Sequence, residues 1–335
     1  MRFPMTKHLL SILWAALLAT VLVSCGPTRR MTTASSVETK ATVSPAIAAG
    51  QYSGITRISD NHYAVVDDKL RGGGIVFFTV EVNRANGEIG RVQAMVPPAT
   101  KLSNVSGRDC EGIAFADDKL YVSAESDQSI REYDLSGNET GRCFTIPKEM
   151  AVESIHPNAG FEALTYSAST RHFWTTTERP LLSDTVVPRL HRLQRFNASF
   201  QPDAQYLYQM DEPLKSSDGT RAYIHGIPAL AALDDGSLIV LEREVYVPAS
   251  LMRAISETVS VTNLYQVNPT GDGKSILPKR LLAEFSTGAA NLANYEGMCL
   301  GPVLQDGRRT LILIADSQGG YGGLTREYLK VIILP

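Results

Sequence analysis

With 335 residues, 44% of them apolar and 7% aromatic, the chain has the composition of an ordinary globular protein and not that of a disordered one. Its formal net charge is −3 and it has no long basic run, so the sequence gives no reason to expect nucleic acid or an anionic membrane surface as a partner. Beyond its N-terminal segment, about 300 residues remain, which is enough to bury one large core or two modest ones.

The N-terminal segment has the pattern of an export signal. Arg2 and Lys7 precede an almost wholly apolar run over residues 9–23, and the run stops just before Cys25. A basic start, a short apolar run and a small-residue end are typical of a secretory signal peptide. The closing Leu-Val-Ser-Cys resembles a bacterial lipobox, in which Cys25 is lipidated and becomes the mature N-terminus. The alternative is an ordinary signal that is cleaved nearby.

These features divide the chain into three predicted segments. Residues 1–25 are a lipoprotein signal, residues 26–42 are a flexible tether rich in Ser, Thr and Ala, and residues 43–335 are one folded domain. We therefore expect an exported lipoprotein of the cell envelope, on the outer membrane and facing the periplasm or the cell surface. Its lipid at Cys25 would be its only attachment to the membrane.

The folded domain repeats one short pattern five times. In each unit a short motif opens an apolar run, a turn rich in Asp, Gly or Asn follows, and a second apolar run ends on an acid. The units lie at intervals of roughly 50 to 70 residues. Their opening motifs are Ser53-Gly54, Glu111-Gly112, Glu162-Ala163, His225-Gly226 and Glu296-Gly297.

The spacing of these units is typical of a β-propeller. Short apolar or alternating runs predict four strands in each of the first four units but only three in the fifth, with one helical break over residues 250–258. An N-terminal strand, Val43–Ile47, is available to complete the last unit and so remove its open edge. We predict an all-β propeller with five recognisable four-stranded blades, and the long third and fourth units leave room for a sixth. A two-sheet sandwich, the main competitor, would not explain the shared opening motif.

The propeller topology predicts where the repeated acids lie. The first strand of each blade lines the central channel and the second runs antiparallel beside it, so the start of the one and the end of the other share a face. The residues that precede first strands are Glu111, Glu162, His225 and Glu296. The acids that end second strands are Asp67, Glu125, Glu178, Glu242 and Asp316. We expect all nine residues at one mouth of the channel.

So many carboxylates cannot all stay ionised side by side without a compensating cation. One interpretation is therefore a site for calcium or a similar divalent cation, with no organic cofactor. Its ligands would come from Asp67, Glu111, Glu125, Glu162, Glu296 and Asp316. Catalysis beside the metal would use Glu178, His225 and Glu242, with Arg179 and Arg243 holding an anionic group of the substrate. The alternative is that each motif glutamate is a latch that accepts hydrogen bonds from backbone N–H groups of a neighbouring blade.

The repeated motifs also resemble a known family, the phytase-like or "esterase-like activity of phytase" domains, over roughly residues 45–335. The resemblance rests on Cys110-Glu111-Gly112-Ile113, Gly160-Phe161-Glu162-Ala163-Leu164, Val240-Leu241-Glu242-Arg243 and Asn294-Tyr295-Glu296-Gly297-Met298. Two motifs depart from the family pattern: Ala315-Asp316-Ser317-Gln318 replaces Ser-Asp-Asp-Asn, and His225-Gly226 replaces Glu-Gly. The resemblance implies an exported protein that hydrolyses phosphoesters or other esters.

Three functions remain open at this stage: a metal-assisted phosphoesterase or related hydrolase, a calcium-dependent lactonase-type propeller, and a non-catalytic envelope lipoprotein that binds a ligand or protein. The sequence has neither the Gly-x-Ser-x-Gly motif of α/β-hydrolases nor the His-Glu-x-x-His motif of zinc proteases. We expect a monomer that acts on a small anionic substrate or ester. Of the cysteines beyond Cys25, Cys110 and Cys299 are predicted to be buried, and the odd total with Cys143 fits no metal motif.

Overall fold

The computed structural model of the chain describes residues 39–43, 50–68, 73–104, 108–317, 325 and 327–335. The first strand is β1 (Thr39–Val43). The first blade follows, with β2 (Tyr52–Arg57), β3 (His62–Asp67), β4 (Gly74–Val82) and β5 (Ile89–Lys101). The second blade has β6 (Cys110–Ala116), β7 (Lys119–Ala124), β8 (Ser129–Tyr133) and β9 (Glu139–Cys143). Two short 3-10 turns, Lys148–Met150 and Val152–Ser154, lead to the third blade.

The third and fourth blades carry the longer connections. The third has β10 (Phe161–Ser167), β11 (His172–Thr177), β12 (Leu190–Phe196) and β13 (Pro202–Gln209). The fourth has β14 (Thr220–Ala232), β15 (Leu238–Pro248), β16 (Val259–Val267) and β17 (Lys279–Gly288), with the helix α1 (Leu251–Glu257) between β15 and β16 at the predicted break. The fifth has β18 (Asn294–Leu300), β19 (Thr310–Asp316) and β20 (Tyr328–Ile333). The prediction of an all-β propeller is confirmed, with five blades.

The N-terminal strand completes the last blade, as predicted, but it lies earlier in the chain. The sheet order of this blade is β1-β20-β19-β18, and β1 pairs antiparallel with β20 from Thr39↔Ile332 to Val43↔Tyr328. The predicted strand Val43–Ile47 was therefore wrong in position: residues 44–49 lie outside the described residues, and residues 39–42 came from the predicted tether. Pairing at a sheet edge uses backbone groups, so a Thr- and Ala-containing segment can supply the strand without an apolar pattern.

Five apolar clusters form the core, one at each interface between neighbouring blades. Strand β19 shows how one strand serves two of them. Leu311 and Leu313 pack against the fourth blade, whereas Ile312 and Ile314 pack against the first. Because side chains alternate between the faces of a strand, a strand buried on both faces reads as a continuous apolar run. This burial explains the uninterrupted second-strand sequences from which the repeats were predicted.

Each blade has a β-bulge in its first strand, which lies where the strand begins in four blades and inside the longer β14 in the fourth blade. Register shifts occur between Tyr52 and Ile55, Cys110 and Ile113, Phe161 and Ala163, Gly226 and Ala229, and Tyr295 and Gly297. A bulge places an extra residue in one strand and re-aims its side chain. In three blades this extra segment contains the motif glutamate, which the bulge frees from the alternation of the strand.

The motif glycines lie where neighbouring first strands come closest. A Cβ atom on Gly54 would lie 2.5 Å from the carbonyl oxygen of Glu111, and one on Gly112 would lie 2.6 Å from that of Glu162. A Cβ atom on Gly297 would lie 2.7 Å from the carbonyl oxygen of Ser53. Real side chains do not fit at such distances. The glycine of the motif is therefore required by the ring itself.

The five first strands nearly close the propeller axis. The space between them is about 10 Å³, roughly the volume that one water centre needs. Its walls include Gly54, Gly112, Ala163, Pro228 and Gly297, one from each blade. This ring corrects one prediction: the residue that corresponds to a motif glutamate in the fourth blade is Ile227, which precedes Pro228. His225 lies two residues earlier, because the longer β14 begins well before the bulge.

The structure also tests the cysteines. Cys110 and Cys299 are buried as predicted, Cys143 is exposed, and all three are free thiols. Among the described residues there is no helix with the length and apolar character that a bilayer crossing requires. The predicted lipidation site Cys25 lies outside the described residues.

Removing residues 39–43 should lower the melting temperature by several degrees, because β20 would lose its outer neighbour and expose a strand edge. Differential scanning calorimetry measures the change. Removal of residues 27–33 is the control and should leave the melting temperature unchanged. Equal melting temperatures for the two truncated proteins would contradict a closing role for β1.

Gly112→Ala should destabilise the protein by about 1–3 kcal/mol, because the new methyl group meets backbone atoms of the third blade. Gly90→Ala is a matched control, since its Cβ atom would lie 3.7 Å from the nearest backbone oxygen, that of Glu81. Urea unfolding gives both free energies. If the two substitutions cost the same, the close approach of the first strands is not what requires the glycine.

Candidate functional site

A cavity of about 1240 Å³ opens on the face where the first strands begin. Most of the predicted site residues line it: Glu111, Glu125, Glu162, Glu178, Arg179, His225, Arg243, Glu296 and Asp316. Two predicted residues, Asp67 and Glu242, are not among the lining residues. The topology thus brings residues of the first strands and residues at or near the ends of second strands to one mouth, with Asp67 and Glu242 as the exceptions.

Three carboxylates meet in the floor of this cavity. Oxygen atoms of Glu111, Glu125 and Glu162 all lie within 4.8 Å of one another. Glu111 and Glu162 stand in the bulges of β6 and β10, and Glu125 directly follows β7. A second group, Asp68, Asp109 and Glu111, satisfies the same distance and shares Glu111. Acidic oxygens at this spacing could hold a metal ion.

These carboxyl groups are hard to ionise when no cation is bound. Burial raises the pKa of Glu125 to about 7, although the Gly160 N–H donates to its Oε1 at 2.7 Å and opposes the shift. Burial also raises the pKa of Glu111 well above its ordinary value, and Glu296 adds to the effect. For Glu162, burial and then the neighbouring Glu111 raise the pKa in the same direction. A bound cation would stabilise the ionised forms and release protons.

Arg243 is the counter-ion built into the floor. Its guanidinium donates to Glu178, to Glu296 and, at 3.1 Å, to Asn294 Oδ1. Burial disfavours its charge, but Glu296, Glu178 and Glu162 outweigh burial and raise its pKa. Burial raises the pKa of Glu296 to about 7, and Arg243 opposes this shift. Arg243 has 4% of its surface exposed, and its positive charge is balanced inside the protein by the two carboxylates that its guanidinium contacts.

The third and fourth blades give the cavity a basic wall. Its basic lining residues are His156, Arg179, Arg189, Lys215 and His225, which come from loops and from β14. Arg179 and Lys215 are exposed. Burial lowers the pKa of His225, with Glu244 opposing and Arg189 adding to the shift. An acidic floor therefore adjoins a wall that can hold an anion.

Comparison with known proteins identifies the family. A family model described as "Phytase-like: Esterase-like activity of phytase" matches residues 47–318. The chain belongs to this family.

Solved structures resemble this phytase-like domain at low identity and low TM-score. The endo-arabinase from Bacteroides thetaiotaomicron is 12% identical with a TM-score of 0.48, over 86% of this chain and 94% of that one. The PQQ-bound aldose sugar dehydrogenase from Streptomyces coelicolor is 14% identical with a TM-score of 0.42, over 88% and 98%. The glutaminyl cyclase from Myxococcus xanthus is 11% identical with a TM-score of 0.40, over 89% and 99%. A search of curated protein sequences found no match.

The phytase-like domain places Glu242 away from the cavity, contrary to the expectation that it ends a second strand there. Strand β15 continues to Pro248, and its alternation puts Arg243 toward the channel and Glu242 on the opposite face. Glu242 accepts hydrogen bonds from Tyr208 Oη at 2.5 Å, Lys279 Nζ at 2.6 Å and the Asp211 N–H at 3.1 Å. The contacts with Tyr208 and Asp211 tie the fourth blade to the third, whereas Lys279 belongs to the fourth blade itself. Glu242 is a latch between blades.

Asp67 is displaced from the predicted site by one residue. It ends β3 and is buried, whereas the next residue, Asp68, lines the cavity. A shift of one residue along a strand reverses the face to which a side chain points. Because Asp67 and Asp68 are adjacent, the sequence does not show which of the two side chains points toward the cavity.

Latch and ligand roles are combined in the floor. Glu125, predicted as a ligand, accepts from Gly160 of the next blade, and the Ser53 side chain of the first blade hydrogen-bonds Glu111. Sequence reasoning missed Asp68, Asp109, His156, Arg189 and Lys215. Asp109 could have been found, because it lies two residues before the motif glutamate Glu111. The basic residues lie on or beside loops whose course no repeat pattern reports.

Without a bound cation, stability should fall as the pH rises through the window from 4.5 to about 7. The pKa of Glu125 is about 7 in the folded protein against an ordinary value of 4.5, so the folded state holds more protons than the unfolded chain in this window. His191, whose pKa burial lowers to about 3, acts in the opposite direction below pH 6.5. A variant is therefore needed to isolate the carboxyl group.

In chelator, the free energy of unfolding of wild-type protein should fall more between pH 5.5 and 8 than that of Glu125→Gln. The amide stays uncharged and can still accept from the Gly160 N–H. Urea unfolding at both pH values measures the difference. An equal or larger fall in the variant would show that Glu125 does not titrate in this range.

Proposed function

We propose that this phytase-like domain is an exported hydrolase of phosphoesters or related esters that works with a divalent cation, and that the cation is calcium. The convergence of Glu111, Glu125 and Glu162 in the cavity floor is the observation that carries this proposal. All three of these carboxylates line the cavity beside its basic wall, and the second group, Asp68, Asp109 and Glu111, adjoins them through Glu111.

The donor set fits a hard cation. The two clusters of three acidic residues consist of Asp and Glu only, with neither His nor Cys. Calcium takes six or more oxygen ligands from such side chains, from backbone carbonyls and from water. The raised pKa values of Glu111, Glu125 and Glu162 support the same assignment, because burial and then neighbouring carboxylates disfavour the ionised forms, which a bound cation would stabilise. We assign these three residues as the ligands, with Asp68 and Asp109 beside them.

A divalent cation in this floor would polarise a phosphoryl or carbonyl oxygen and make a bound water more acidic. The residues of the chain supply the remaining functions. Arg179 and Lys215, both exposed on the basic wall, bind and orient the anionic group of the substrate. His225 is held neutral by its lowered pKa, so its ring can accept a proton near neutral pH. Glu178 and Arg243 fix each other in the floor and position Glu296.

The basic wall favours phosphoesters over lactones, because a neutral lactone gives Arg179 and Lys215 no charge to bind, whereas Arg189 is already paired with Glu212 at 2.6 Å. A lactonase-type propeller would still need His225 or an acid as its base. A non-catalytic envelope protein would tolerate the loss of all these side chains. Export, the lipid anchor at Cys25 and the monomeric state belong to the same proposal, and they rest on the sequence pattern of residues 1–42 and on the net charge.

Calcium should raise the melting temperature, and a chelator should reverse the rise. At a free concentration one hundred times the dissociation constant, binding adds about 2.7 kcal/mol to the free energy of unfolding. Glu162→Gln should reduce the shift, since it removes a charged ligand and keeps the shape. Glu242→Gln is the matched control, because it weakens the latch to Lys279 and should lower the melting temperature equally with and without calcium.

Hydrolysis of para-nitrophenyl phosphate and of a simple lactone, each with and without calcium, tests the reaction. We expect calcium-dependent release of phosphate and a loss of at least tenfold in Arg179→Ala. If calcium, magnesium, zinc and chelator change neither the melting temperature nor the hydrolysis rate of wild-type protein, the proposal is wrong and the non-catalytic binding role is favoured. Hydrolysis of the lactone alone would favour the lactonase.

A further inference from the structure

The wall of the cavity that belongs to the third and fourth blades is apolar as well as basic. Interspersed with its cations are the apolar or aromatic lining residues Pro180, Leu181, Pro188, Pro213, Tyr223 and Ile224. Most of the lining acids lie in the floor, whereas these residues occupy one side of the mouth together with Asp184 and Glu212. The cavity is therefore amphipathic across its width.

The apolar surface continues outward from this wall. Leu182, Val186 and Leu214 expose 44%, 92% and 55% of their surface, and each lies within two residues of a lining residue. They are on the loop between β11 and β12 and on the connection between β13 and β14. Both segments lie on the face of the cavity mouth, because they join strand ends on that face.

Helix α1 adds to the same face. Its Leu251, Met252 and Ile255 expose 75%, 79% and 70% of their surface. The helix is linked to the cavity through side chains: Arg253 donates to Tyr246 Oη at 2.9 Å, and Lys215 of the cavity wall lies 5.5 Å from the Tyr246 ring centroid. The exposed apolar side chains thus extend from the wall to the tip of the fourth blade.

The opposite face differs. Its large exposed apolar residues are Leu135, Ile276 and Val303, which lie singly on turns of three different blades and are 40–43% exposed. Scattered exposed apolar residues are normal, but a concentration beside a polar cavity marks a binding surface. A small, wholly polar substrate would make no use of it.

We propose that the substrate is amphiphilic, with an anionic ester head over the carboxylate floor and an alkyl or acyl group of several carbons along the wall of the third and fourth blades. This inference rests on the proposed function for the head and goes beyond it for the tail. Burial of each methylene against Ile224 and Leu214 removes apolar surface from water, and this strengthens binding with chain length.

The test measures binding of methyl, butyl and octyl phosphate by isothermal titration calorimetry in calcium. The protein comprises residues 34–335, which form one compact unit and contain every described strand, so the apolar N-terminal run is absent. We expect the affinity to rise with chain length, by up to about fourfold for each buried methylene. In the double variant Val186→Ser, Leu214→Ser this rise should be smaller, whereas methyl phosphate should bind as it does to wild type.

The matched control is the double variant Leu135→Ser, Ile276→Ser on the opposite face, which should keep the wild-type dependence on chain length. Equal affinities across the series, no binding of any member, or equal effects of the two double variants would overturn the proposal. The readout is binding, so it is independent of turnover. A protein that binds the longer phosphates more tightly but hydrolyses none supports the amphiphilic ligand and defeats the proposed hydrolase.

Discussion

The close approach of five first strands around one axis is the constraint on which the rest of the structure depends. At the contact points a Cβ atom would overlap the backbone of the next blade, so glycine recurs at Gly54, Gly112 and Gly297. The same crowding is accompanied by a bulge in each blade, and the bulge turns the preceding side chain toward the cavity. The glycine of each Glu-Gly pair thus allows the first strands to pack closely, and the accompanying bulge directs the glutamate side chain into the cavity.

Acids from several blades meet in the cavity floor, where their negative charges repel one another. The cations of the protein offset only part of this repulsion. Arg243 compensates Glu178 and Glu296 on one side of the floor. Glu111, Glu125 and Glu162, on the other side, have raised pKa values and partial relief from Ser53 and the Gly160 N–H. Carboxyl groups whose ionised forms are disfavoured in a preformed cavity are available to a cation, and this asymmetry separates a candidate metal centre from a purely structural carboxylate network.

The repeat pattern predicted the fold because every blade buries its second strand on both faces. A strand buried in this way has a continuous apolar sequence, and this sequence recurs in each unit. The repeat pattern also predicted the shared mouth, since antiparallel neighbours fix which strand ends meet. The errors are shifts along single strands. Asp68 replaces Asp67, Glu242 lies inside a strand that continues to Pro248, and Ile227 takes the place expected for His225. A bulge or an extended strand changes which residue faces the channel without changing the apolar pattern, so the sequence alone cannot place these residues.

The nearly closed axis has a kinetic consequence. With space for about one water between the first strands, a substrate molecule and its products share a single opening on the cavity face. In the proposed hydrolase, the leaving alcohol and the released acid would depart along the path by which the next substrate arrives, past the same basic and apolar wall. Each product retains one half of the features that the wall recognises. Competitive inhibition by product is therefore the kinetic behaviour that we expect of the proposed hydrolase, because the centre of this five-bladed ring is filled by its own backbone.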